Sequence, residues 1–89
     1  MTCYIVSFQA DSAATRQKVR ELLKSYSRYC PINNTCWAII SDQKASEVRD
    51  HVATALDSAD RLFVIRSGTE AAWRNAIGQK HTDWLKKNL

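Results

Sequence analysis

Three observations predict an α+β domain. Short runs rich in β-branched and aromatic residues occupy 3–8, 35–41 and 61–66, and apolar residues recur every third or fourth position in the segments between them. Both intervening segments are also of helical length, as crossovers between strands of one sheet require.

The opening run is Cys3-Tyr4-Ile5-Val6-Ser7-Phe8. After Gln9, Ala10, Asp11 and Ser12 the chain enters a helix in which Thr15, Val19, Leu22 and Tyr26 form one stripe, with Leu23 beside it. Ser27 to Ile32 reads as an irregular strand. Pro31 has no N–H to give to a ladder, which places this strand at an edge or a bulge. Asn33-Asn34 is a turn signal. The run Thr35-Cys36-Trp37-Ala38-Ile39-Ile40-Ser41 is apolar on both faces and is the candidate central strand. A second helix, from about Lys44 to Leu56, turns Ala45, Val48, Val52, Ala55 and Leu56 inward and Glu47, Arg49 and Asp50 outward. Asp57-Ser58-Ala59-Asp60 ends it, and the strand Arg61 to Arg66 begins at once. Ser67-Gly68-Thr69-Glu70 has capping-box spacing. It predicts a short helix packing through Ala72, Trp73, Ala76 and Ile77 and stopped by Gly78, before a last helical turn from Trp84. Two interleaved strand-helix-strand units give a ferredoxin-like split β-α-β sandwich. Residues 1–89 form one domain, with a core over about 3–66 and a short helical C-terminal tail over about 68–89.

Charge is distributed unevenly. Residues 16–28 hold five basic residues (Arg16, Lys18, Arg20, Lys24, Arg28) against one acid, Glu21, a net +4 that equals the charge of the whole chain. Any attraction for a polyanion is therefore centred there, and Arg16, Arg20, Lys24 and Arg28, four residues apart, are the candidate phosphate contacts. The three cysteines, Cys3, Cys30 and Cys36, form no C-x-x-C pair and are expected as buried free thiols. No apolar run is long enough to span a bilayer, and the chain reads as cytoplasmic. Trp37 and Phe63 are expected in the core, Trp73 and Trp84 as anchors of the tail, and His51 and His81 as residues without a ligand set. No P-loop or nucleophile triad is spaced for catalysis, so no catalytic residue, metal ligand or cofactor is assigned.

Three stretches carry a family resemblance: Tyr4-Ile5-Val6-Ser7-Phe8, Thr35-Cys36-Trp37-Ala38-Ile39 and Asp60-Arg61-Leu62-Phe63-Val64. Over about residues 3–66 the chain resembles the CRISPR-associated adaptation protein superfamily with ferredoxin-like fold, in its SinR-like branch. The resemblance implies a homodimer whose sheets face each other, in a superfamily that includes nucleic-acid binders and metal-dependent nucleases. It also implies an Asp after the aromatic residue that ends the first strand, where a dimer gathers two carboxylates near a divalent metal. Here Phe8 is followed by Gln9, and a neutral amide is a poor Mg²⁺ ligand, so the resemblance implies a copy without that metal site. Asp11 lies two residues on and is the carboxylate a nuclease reading would call upon, although Asp before Ser12 also suits a helix N-terminus. The expected function is a homodimeric nucleic-acid-binding module that takes DNA or RNA through its first helix and involves no membrane. A metal-dependent endoribonuclease or other nuclease, and a non-catalytic protein-binding accessory subunit, are the alternatives.

Overall fold

The computed structural model describes residues 2–68, 72, 74 and 77–88. Its elements follow the expected order: β1 (Thr2–Gln9), α1 (Ala13–Leu23), β2 (Arg28–Asn33), β3 (Cys36–Ser41), α2 (Ala45–Ala53), β4 (Arg61–Arg66) and α3 (Gln79–Asn88). The four strands form one antiparallel sheet ordered β2-β3-β1-β4. This is the split β-α-β arrangement: β3 lies between β1 and β2, which α1 connects, and β1 lies between β3 and β4, which α2 connects.

Alternation along the strands builds two unequal layers. On one face Tyr4, Val6 and Phe8 of β1 and Trp37 and Ile39 of β3 pack under Val19 and Leu23 of α1 and Val48 and Val52 of α2. Leu23, Ile39, Val6, Val19, Val48 and Val52 are fully buried there, each contributing about 1.5–3 kcal/mol by leaving water. On the other face Cys3, Cys30, Ala38 and Ile40 pack against Leu85 of α3, with Trp84 beside them. β3 is covered on both faces, as its unbroken apolar run requires.

Local chemistry fixes the boundaries. Ser12 caps α1, its Oγ accepting the Thr15 N–H at 3.3 Å. α2 opens with the Lys44 N–H donating to Glu47 Oε1 at 2.9 Å. β2 is an edge strand whose register shifts between Pro31 and Asn33, so both of the accommodations that proline allows occur together. Asn33 Oδ1 accepts the Thr35 N–H at 3.0 Å and closes the β2–β3 turn. Asp57 N–H donates to Asp60 Oδ2 at 2.8 Å in the turn before β4, and Thr15 Oγ1 reaches Asp57 Oδ2 at 3.5 Å, joining α1 to that turn.

Some expectations need correction. α3 is a helix of ten residues starting at Gln79, longer than the single turn expected from Trp84. The helix expected after Ser67 falls mainly on positions outside the described residues, Trp73 and Ala76 among them; Ala72, Arg74 and Ile77, which are described, are not helical. Phe63 is not in the core. It alternates onto the α3 side of the sheet, but α3 packs over β2 at the far edge, and Phe63 is left 63 % exposed with Ile65 nearby at 49 %. Cys3 and Cys30 are buried free thiols as expected, whereas Cys36 is only half-buried. Burial pushes all three thiols above their ordinary range. Among the described residues no helix is long and apolar enough to cross a membrane.

Candidate functional site

The basic segment does not form one row. α1 ends at Leu23 with Lys24 as its C-cap, and Arg28 already belongs to β2. Arg28 stands opposite Ile40, on the α3 face of the sheet, and its Nη2 donates to Asn88 Oδ1 of α3 at 2.6 Å. The sheet therefore separates Arg28 from α1. Lys24 is exposed and its Nζ lies 3.6 Å from Glu21 Oε1, so the one acid of the segment offsets it. Lys18 is exposed and, two residues from both Arg16 and Arg20, projects from another side of the helix.

Arg16 and Arg20 remain, one turn apart and half-buried. Arg16 Nη1 donates to the carbonyls of Ala10 at 2.7 Å and Asp11 at 2.9 Å, which fold the loop between β1 and α1 around its guanidinium. Arg20 Nη1 donates to the Asn34 carbonyl at 3.3 Å and its Nη2 to Gln17 Oε1 at 3.2 Å. Neither guanidinium has a carboxylate partner among the described residues. Both are fixed by neutral oxygens and keep their full charge.

The two arginines line an open cleft of about 830 Å³ with Phe8, Gln9 and Ala10 from the end of β1 and Asn34 and Thr35 from the β2–β3 turn. These pieces meet because the Phe8 N–H donates to the Thr35 carbonyl at 2.9 Å, which holds the turn against the end of β1. The side-chain amides of Gln9 and Asn34 have no hydrogen-bond partner among the described residues. Thr35 Oγ1 touches Asn33 Oδ1 at 3.4 Å. Among the described residues the cleft therefore collects two cations and three neutral polar side chains, with no carboxylate on its wall.

The carboxylates lie beyond Gln9. Asp11 and Asp60 line a separate hollow of about 180 Å³ with Gln9, Ala59 and Arg61. Among the described residues no group of three or more His, Cys, Asp or Glu side chains is arranged to hold a metal ion. His51 is exposed and its Nδ1 lies 2.9 Å from the Tyr26 hydroxyl, the rings meeting edge to face. His81 lies in α3, where its backbone carbonyl is 3.9 Å from Cys30 Sγ.

Sequence reasoning selected Arg16 and Arg20 but missed the cleft they share, because Gln9, Asn34 and Thr35 join them only through the strand register. Neither a protein-family model nor a curated protein matches this chain in sequence.

Proposed function

We propose that this chain is a nucleic-acid-binding module that contacts the sugar-phosphate backbone through the N-terminal half of α1. The observation that carries this reading is the Arg16–Arg20 pair, which is held in place by backbone carbonyls, lacks carboxylate partners among the described residues and opens onto a polar cleft. Guanidinium groups fixed before binding lose little freedom on meeting a phosphate, and they pair with its oxygens in a planar fork. With Gln9 where the resemblance implies Asp, the neighbouring position offers an amide, which suits an anion and weakens the nuclease alternative.

We further propose that the module is a homodimer of the CRISPR-associated adaptation protein-like, SinR-like kind. Trp37 and Ile39 of the central strand are buried under the helices and offer nothing to a second copy. Phe63 and Ile65, opposite Ser7 and half-buried Ile5 across the β1–β4 pair, supply an exposed apolar patch for that contact. Sedimentation at low micromolar concentration should give a mass near twice the 10.1 kDa of the chain, and a monomer there would remove the dimer from the account.

Binding of a mixed-sequence oligonucleotide, as DNA and as RNA, measured over a salt series tests the main reading. Log affinity should fall linearly with log salt, and Arg20→Ala should reduce the slope by about one. Affinity that does not respond to salt would point to the accessory-subunit alternative. Mg²⁺-dependent cleavage abolished by Asp11→Asn would point to the nuclease.

A further inference from the structure

The nucleic-acid reading leaves open which phosphate the cleft receives, and the charge on its wall bears on that question. Each guanidinium has five N–H donors. Two of Arg16 are spent on the Ala10 and Asp11 carbonyls and two of Arg20 on Asn34 and Gln17, which leaves three on each. Gln9 and Asn34 add amide donors that are not engaged elsewhere among the described residues, and Thr35 adds a hydroxyl. Two full positive charges with no neutralising acid among the described residues call for a ligand of nearly two negative charges. An internal phosphodiester carries one. A phosphate monoester carries about −1.5 to −2 at pH 7 and presents three acceptor oxygens.

Resting on that reading, we infer that the Arg16–Arg20 cleft is a phosphate-monoester site that receives the phosphorylated end of a nucleic-acid strand, with Gln9, Asn34 and Thr35 as neutral donors around it. The position of Gln9 makes the inference sharp. A carboxylate at residue 9 would border the same cleft and neutralise one of the two guanidinium charges. The amide keeps the cleft cationic and adds a donor.

The experiment compares four versions of one short single strand: 5′-phosphate, 3′-phosphate, both ends phosphorylated, and both ends hydroxyl. A nucleoside monophosphate serves as a separate small probe. Phosphorylation of one end should tighten binding by about tenfold at low salt. That preference should grow from pH 5 to pH 7 as the monoester loses its second proton near pH 6. Gln9→Glu and Arg20→Gln should each abolish the preference while circular dichroism stays that of the folded chain. Gln9 lies exposed at the end of β1, so its substitution tests the site without touching the core. Equal affinity for phosphorylated and hydroxyl strands, or a preference that survives both substitutions, overturns the inference; if the hydroxyl strand still binds with a steep salt slope, the nucleic-acid reading stands without it. Binding of the nucleoside monophosphate in the cleft with no affinity for any strand overturns the nucleic-acid reading and with it the strand end as the ligand. Failure to bind every probe overturns both.

Discussion

The two halves of the basic segment each supply two of the four candidate phosphate contacts and have different surroundings in the fold. Arg16 and Arg20 are half-buried, tied to backbone carbonyls and turned into a cleft, whereas Lys24 is exposed beside Glu21 and Arg28 lies across the sheet against α3. Charge counting gave the four residues equal weight. What separates them is the acceptor each one meets: a carbonyl holds a guanidinium without cancelling its charge, while a carboxylate cancels it. The first half can attract a phosphate from a fixed position. The second half adds to the net charge but provides no organised site.

The largest expected effect removes both halves together. Leu23→Ala empties a fully buried position beneath α1 and should cost about 2–5 kcal/mol in a denaturant titration, because its neighbours cannot collapse completely into the space. A loss under 1 kcal/mol would mean that α1 is not anchored as described. Next comes the double variant Arg16→Ala/Arg20→Ala, which should weaken binding of a nucleic-acid strand by about a hundredfold, charged hydrogen bonds being worth roughly 1.5–3 kcal/mol each. A smaller change is expected from Asn33→Ala. It deletes the acceptor that closes the β2–β3 turn, should cost about 1 kcal/mol of stability, and should loosen the Asn34 carbonyl that holds Arg20, seen as a several-fold loss of affinity. The smallest is Lys24→Ala with Arg28→Ala, which should change affinity by less than about threefold, since an exposed pair contributes at most ~1 kcal/mol and Arg28 faces away from α1.

How much of this was legible beforehand depends on the range of the interaction involved. The element order, the central place of β3 and the irregular edge at Pro31 followed from local pattern, because strand alternation, helical spacing and the missing proline N–H act within a few residues. The end of α1 was read too late. Tyr26 continues the apolar stripe and still packs against the same core, although the helix has ended at Leu23, so spacing carried the helix about three residues too far; the four-residue step then grouped Arg28 with the helix cations, although it already lies in the strand that begins near Ser27. Phe63 was misread for a related reason. An aromatic residue in a strand fits a covered face, and only the offset of α3 toward β2 leaves it in the open. The cleft was out of reach. Phe8 and Thr35 are 27 positions apart, and no local signal states that a hydrogen bond at 2.9 Å joins them.

The most direct test of the account is a paired salt titration. Binding of one end-phosphorylated strand is measured from low to moderate salt for the parent chain, for Arg16→Ala/Arg20→Ala and for Lys24→Ala/Arg28→Ala. The slope of log affinity against log salt should fall by about two in the first variant and by less than about one half in the second. Equal losses of slope in the two variants, or a larger loss in the second, would contradict it.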